Sequence, residues 1–363
     1  MEYDLLVVGN GFDLGSGFKT DYASFIKSMN SSGSSTSLIH FYFSAYDRNY
    51  MINDEWNGFE NLLCQYLQFI DFLFKENDNV VSYFADDYDD FYGNKIYRYY
   101  KWEIKDISKL PNNIFNILCL LNPLGDILSI STDERFYRGF SRLDDYPESS
   151  HLYIRMLINA KPVNTSKEYV LEQLLSKLEE KLSDVEQKLK DYIYRVTTDD
   201  TNGPTAFSRH TAKRIVSFNY SKTAQKLYNL SDDNVAYVHG DISNEVVLGV
   251  EPSMIHNQSF AEESNYIKFF KRFRRIYKDC NKSYNYKIIE KLSPESNIAI
   301  YGHSLDLGDR SILKPLFENR YKKYDIYCYD DKKNYKLKLV KLIGLDLYDE
   351  LEKEDKINFI NIL

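Results

Sequence analysis

Gly9-Asn10-Gly11-Phe12-Asp13-Leu14-Gly15-Ser16-Gly17 follows directly on a short apolar run, Leu5 to Val8. Glycines in such a strand-to-helix turn allow a sharp bend and a close approach to a phosphate, which the next helix N-terminus can hold. A tight connection alone would use the same residues. An ordinary NAD dehydrogenase does not fit: the third glycine of its turn falls at Leu14. The acidic ribose ligand expected about 20 residues further on meets only the serine-rich stretch Asn30 to Ser37. Three later motifs place polar side chains at the end of an apolar run: Ser217-Phe218-Asn219-Tyr220, His239-Gly240 and Gly302-His303-Ser304-Leu305. Asn219 offers a donor and an acceptor without charge, and His239 an imidazole that ordinarily titrates near neutrality. Each also has a structural reading. Asn219 would cap a helix beginning near Ser221, Asp13 would cap the first helix, and His239 would be a satisfied strand-end histidine. Asn219 and His239 together are read as a site, while Asp13 is left open between the two roles. His40, His151, His210 and His256 have no metal-ligand spacing with nearby Asp, Glu or Cys, so no metal site is expected. His303 either lines the closing turn or packs beneath it.

These residues need a scaffold that brings them together. Buried-type apolar runs recur at Ile215 to Phe218, Val235 to Val238, Val246 to Leu248, Ile298 to Tyr301 and Ile326 to Tyr329. Helical stretches lie between them, such as Thr223 to Leu230 and Phe269 to Tyr277, which predicts an α/β fold with a doubly wound, mostly parallel sheet. Parallel strands end on one edge, so the motifs should converge there. The middle of the chain shows long helical patterns and no convincing buried strand. Thr165-x-x-Glu168 reads as a capping box. Leu171, Leu174, Leu178, Leu182, Val185, Leu189 and Ile193 then form one apolar stripe. Asp86 to Asp90 and Thr198 to Pro204 read as solvated loops. The expected organisation is a core from residues 1–34 and 205–363, with an inserted helical module at 35–204.

Composition narrows the partners. The net charge of -8 argues against a general nucleic-acid binder. The four cysteines are far apart and form no zinc or redox motif. The chain opens into its first strand without a leader-like segment, and no apolar run reaches the roughly 20 residues of a membrane span. A cytoplasmic protein is expected, with homo-oligomerisation left open.

The spacing of Gly9, Gly11 and Gly17 resembles the sirtuin glycine turn. Phe218-Asn219-Tyr220, His239-Gly240 and Gly302-His303-Ser304-Leu305 resemble the sirtuin Asn, His-Gly and Gly-Thr-Ser-Leu segments in the same order. A narrower resemblance, spanning the chain to about residue 330, is to the AbiH family of phage abortive-infection proteins. It rests on Gly9 to Leu14, Gly17-Phe18-Lys19-Thr20-Asp21-Tyr22, Phe25, Trp56 with Glu60, the three later motifs, Leu248-Gly249 and Asp309. These resemblances imply anti-phage defence and a sirtuin-like Rossmann variant that takes NAD or a related nucleotide as substrate or ligand. Asn219, His239 and Asp13 would be catalytic, with Asn219 holding the nicotinamide ribose and a water. Gly9, Asn10, Gly11, Phe12, Gly17, Gly240, Gly302, His303, Ser304 and Asp309 would bind the nucleotide. The implied reaction is NAD+ cleavage at the nicotinamide glycosidic bond. The four-cysteine zinc module of deacylating sirtuins is lacking, which disfavours protein deacylation. Two alternatives stand: a nucleotide sensor without turnover, and a nuclease using the basic stretch Lys268 to Lys278. That stretch reads better as an amphipathic helix with Phe269, Phe273, Ile276 and Tyr277 inward and its charges solvated.

Overall fold

The computed structural model describes residues 2–31, 56–75, 78–88, 96–105, 129–132, 152–157, 166–198, 206–251, 264–278, 287–329 and 331–362. Most of the serine-rich stretch, Thr165, the loop from Asp199 to Pro204, and His40, His151 and His256 lie outside the described residues.

The first strand, β1 (Glu2–Tyr3), pairs in parallel with β7 (Thr211–Ala212) and leads into β2 (Leu5–Val8). The sheet around β2 is completed by β8 (Ile215–Ser217), β9 (Val235–Tyr237), β10 (Asn297–Tyr301), β11 (Lys323–Cys328) and β12 (Ile357–Asn361). Its order is β12-β11-β10-β2-β8-β9, every neighbouring pair parallel. Counted in the sheet's own chain order this is the 3-2-1-4-5-6 arrangement of doubly wound sheets, whose strand order reverses between β2 and β10.

Continuous apolar runs form these strands because both faces of the sheet are covered. Leu5 and Val7 pack with Val216, Ile298, Ile300 and Ile326. That face is closed by α8 (Arg310–Glu318), α9 (Lys332–Ile343) and α10 (Leu345–Lys353). Leu6 and Val8 pack on the other face with Ile215, Ala299 and Tyr301, beneath Phe12 of α1 (Asn10–Gly15) and Ala224 of α5 (Thr223–Leu227). All four β2 side chains are fully buried, each worth about 1.5–3 kcal/mol relative to exposure. Val246 to Leu248, expected as a strand, makes only isolated bridges, Gly240 with Val246 and Val250 with Phe270. Its amide at Val247 is taken by the carbonyl of His239 (2.9 Å), and its side chains pack into the inserted module.

That module is not all-helical. Between α3 (Trp56–Phe74) and α4 (Lys167–Thr197) runs an antiparallel sheet of β3 (Val80–Tyr88), β4 (Ile96–Ile104), β5 (Ser129–Thr132) and β6 (Leu152–Leu157), ordered β3-β4-β6-β5. Period-two patterning explains it. In β4, Tyr100, Trp102 and Ile104 are buried while Lys101 and Glu103 between them are half-buried. Asp86 to Tyr88, read as loop, is the end of β3. The stripe from Leu174 to Ile193 on α4 is buried as its spacing requires, against α2 (Tyr22–Ser31) and α3. Its N-cap is Ser166, one residue beyond the expected Thr165. Val246, Leu248, Val250, Tyr266, Phe269 and Phe270 join the same cluster, so the module's core is finished by chain from beyond residue 240. Two further short α-helices are α6 (Lys271–Tyr277) and α7 (Lys287–Glu290). Among the described residues no helix is long and apolar enough to cross a membrane.

Candidate functional site

The carboxyl ends of β2 and β10 meet where the strand order reverses, the place where open α/β sheets bind ligands. Two turns lock together there. Gly9 N donates to Tyr301 O (3.1 Å), Gly11 N to Gly302 O (2.8 Å), and Phe12 N to Gly9 O (2.9 Å). A Cβ on Gly9 would stand 2.6 Å from Gly302 O, and one on Gly302 would stand 2.4 Å from Phe12 N. Gly302 also has φ +70°. The glycines are therefore demanded by the approach of one turn to the other. The amides of residues 9, 11 and 12 are engaged within the protein, which removes them from the expected phosphate cradle.

Beside the locked turns opens a cavity of about 890 Å³, in the size range of small-molecule sites. From the first turn Gly9, Asn10, Gly11 and Asp13 line it, and from the end of β8 Asn219. His239 enters past β9, and Gly302, His303, Ser304 and Asp309 past β10. Three expected ligand-binding residues are not among the lining residues. Phe12 packs its ring in the sheet core against Tyr301, with centroids 5.8 Å apart. Gly17, at φ +86°, follows the C-cap of α1, and Gly240, at φ +78°, turns the chain after β9. Their glycine character serves backbone geometry.

Asp13 is no cap, since Gly9 holds that position on α1. Its buried carboxylate accepts from Ser221 Oγ at 2.8 and 2.7 Å, and from the side chains of Thr223 and Asn219. Burial pushes the Asp13 carboxyl up to about 6, against the pull of those donors. Asn219 does not cap α5 either: the cap is Lys222, without a side-chain bond. Its backbone N–H donates to Ser217 Oγ at 3.2 Å, which fixes the strand-end turn.

On the other side Asp309 lies between two imidazoles, 2.9 Å from His239 Nε2 and 3.2 Å from His303 Nε2. His303 Nδ1 accepts from Leu305 N at 2.9 Å. Burial, then the charge of Lys271, lowers His239 to about 4. His239 Nδ1 is buried without a partner. Lys271 Nζ reaches Glu60 Oε1 at 2.5 Å, Gly308 O at 3.3 Å and Asp309 at 3.5 Å. Burial works against the Lys271 ammonium, but Glu60 and Asp309 outweigh it and hold it charged. Burial likewise pushes Asp309 up, yet Lys271 and the histidines keep its carboxyl well below the usual range. Burial pushes the Glu60 carboxyl up to about 7, against the pull of the Lys271 ammonium and with the Asp309 charge adding to the rise. Among the described residues, no group of three or more His, Cys, Asp or Glu is placed to hold a metal ion.

Lys271 belongs to the stretch read as an amphipathic helix with solvated charges; Phe269 and Phe273 do pack inward and Arg272 is exposed, but the rest of the expected pattern is exchanged. Lys271, Arg274 and Arg275 are buried, while Ile276 is 57% and Tyr277 72% exposed. Arg274 and Lys278 each reach Glu186 Oε2 at 2.6 Å, and Leu248 N donates to Glu186 Oε1 at 2.8 Å. The carboxylates that draw these cations inward come from α3 and α4, invisible to local periodicity. Lys271 and Glu186 were missed for that reason, and Glu60 entered only as part of a family signature. Thr20, Lys27, Tyr220, Tyr329 and Tyr335 also line the cavity without having been expected there. Thr20 donates to Asn10 Oδ1 at 2.6 Å and so orients a side chain that was expected.

The model of the family described as "Bacteriophage abortive infection AbiH" matches residues 5–122 and 141–330, most of the chain. No curated protein and no solved structure shows significant similarity to it. The matched span contains every residue of the cavity named above except Tyr335. The chain belongs to the AbiH family of bacteriophage abortive-infection proteins.

Proposed function

We propose that the cavity takes a nucleotide of the NAD type and hydrolyses its nicotinamide N-glycosidic bond, the step by which this abortive-infection protein acts on an infected cell. The observation that carries the reading is the convergence of Asp13, Asn219 and His239 on one cavity at the switch point of a parallel sheet. In this reading the likeness to sirtuins is one of chemistry as well as motif order. Asn219 holds the ribose and a water near the anomeric carbon. Asp13 stays mostly ionised at neutral pH, and its negative charge stabilises the electron-poor ribose centre as the bond breaks. The water oxygen bonds to the anomeric carbon, and the glycosidic electron pair leaves on the nicotinamide nitrogen and neutralises its charge. One proton is released.

The basic stretch gives little to a nuclease reading, because Lys271, Arg274 and Arg275 are buried among carboxylates.

The test is release of free nicotinamide from NAD+ by the purified protein. Asn219→Ala should lower the rate on the order of 10²–10³-fold, the loss that follows removal of a preorganised polar group, in a protein that still folds and melts somewhat lower for want of the hydrogen bond to Asp13. Wild-type protein that binds the nucleotide but releases no nicotinamide would replace hydrolysis with sensing. An Asn219→Ala variant of full activity would remove Asn219 from the mechanism.

A further inference from the structure

His303 Nδ1 receives the Leu305 N–H, so it carries no proton. A neutral imidazole with one bare nitrogen has its hydrogen on the other, and His303 Nε2 therefore donates to Asp309 Oδ2. Asp309 is ionised, and an ionised carboxylate only accepts. His239 Nε2, 2.9 Å from Asp309 Oδ1, must then be a donor too. His239 is neutral, so its second nitrogen is bare. That nitrogen, Nδ1, is the one left buried without a partner on a residue lining the cavity.

We infer that Asp309 is a positioning residue: by accepting from both imidazoles it fixes His239 as the Nε2–H tautomer and leaves Nδ1 as the acceptor for a ligand hydroxyl or water. Asp309 was expected to contact the nucleotide itself, whereas this geometry has it act through His239. Lys271 supports the arrangement by holding Asp309 ionised and by disfavouring a second proton on His239. The inference rests on the proposed function only for what meets Nδ1. In that hydrolysis Nδ1 accepts a hydrogen bond from the attacking water and orients it, and the proton lost by the water leaves to solvent.

The test follows from the chemistry of an amide. Asp309→Asn offers one acceptor and one donor where the carboxylate offered two acceptors. His303 is pinned by Leu305 and must keep donating, so it takes the oxygen. His239 Nε2 then faces the amide NH₂, has to accept, and its proton moves to Nδ1. Nitrogen-15 NMR of the full chain, labelled at histidine, reads this directly, with His239→Gln and His303→Gln assigning the signals. The expected result is a bare Nδ1 on His239 in the wild type and a protonated Nδ1 in Asp309→Asn. Nicotinamide release should then fall on the order of 10⁴-fold, as when an orienting carboxylate becomes an amide, with nucleotide affinity changed far less. Asp309→Glu, which keeps both acceptors, should keep the tautomer. A wild-type His239 protonated on Nδ1, or an Asp309→Asn variant with its tautomer unchanged, would overturn the inference. The wild-type spectrum decides the assignment whether or not the variant folds. A bare Nδ1 in a protein that releases no nicotinamide would sink the proposed hydrolysis and leave this assignment standing.

Discussion

Replacing Glu186 by leucine strands buried charge. The carboxylate is 2% exposed and takes four hydrogen bonds: 2.6 Å from Arg274 Nη2, 3.2 Å from Arg274 Nε, 2.6 Å from Lys278 Nζ and 2.8 Å from Leu248 N. Breaking a buried pair by removing one partner costs about 3–5 kcal/mol. Lys278 keeps Glu245 at 3.6 Å and Arg274 keeps the carbonyl of Lys268 at 3.3 Å, so the lower end, about 3 kcal/mol, is expected. Glu186→Leu with Arg274→Met removes two of the three charges from the helix contact, leaving Lys278 to Glu245, and should be more stable than Glu186→Leu alone, as apolar replacements of buried pairs are. The cycle completed by Arg274→Met should give a coupling of about 2 kcal/mol. Denaturant unfolding of the four proteins, followed by circular dichroism, measures all of these. A cost below about 1 kcal/mol for Glu186→Leu, or additive single changes, would refute the reasoning and return α6 to the solvated amphipathic helix that its sequence suggests.

Gly302→Ala must hold an L-residue at φ +70°, a strain of about 1–2 kcal/mol, and drive its Cβ into the backbone of residues 11 and 12. It should lower the melting temperature and abolish nucleotide binding measured by calorimetry, and unchanged binding would show that the turns need not touch. Asp13 predicts a pH dependence. Its carboxyl is raised from 3.8 to about 6 in the folded state, so the folded protein binds more protons than the unfolded chain in that window. The Asp13 contribution is most favourable below about 4, falls as pH climbs to about 6, and is flat above, a loss of about 3 kcal/mol at 1.36 per unit. Asp13→Asn should remove that slope from a plot of unfolding free energy against pH, and an identical slope in both proteins would place the shift elsewhere.

The parallel sheet was legible because strands covered on both faces announce themselves as unbroken apolar runs, as Leu5 to Val8 and Ile298 to Tyr301 do. The motifs at their ends were legible for the same reason: strands that run the same way deliver Asn219, His239 and Gly302 to one edge. The antiparallel sheet was not. At 100–104 of β4 buried and half-buried side chains alternate, and Ile96-Tyr97-Arg98-Tyr99-Tyr100-Lys101-Trp102 carries the aromatics that suit a pleated surface. A composition-wide abundance of tyrosine hid that signal. Gly17 and Gly240 show the limit of motif spacing, which does not distinguish a glycine that meets a ligand from one that turns the chain. Val246 to Leu248 shows another: an apolar run states that it will be buried, not in which core. Helix α6, with its buried cations, marks the hardest case. Lys271, Arg274 and Arg275 look solvated until Glu60 and Glu186, far off in sequence, supply their counter-charges.

The pairing of the Gly9 and Gly302 turns also sets a schedule. β2 leaves the ribosome well before its sheet neighbours, β8 and β10. At about 5–20 residues per second, the roughly 290 residues from one turn to the other take about 15–60 s to make. Throughout that interval the nascent chain holds the Gly9 turn, and later Asn219 and His239, without the turn they close against. A chain interrupted before Gly302 carries most of the site's polar groups and no site. The cavity therefore waits on chain from beyond residue 300 and cannot be assembled from the earlier residues alone.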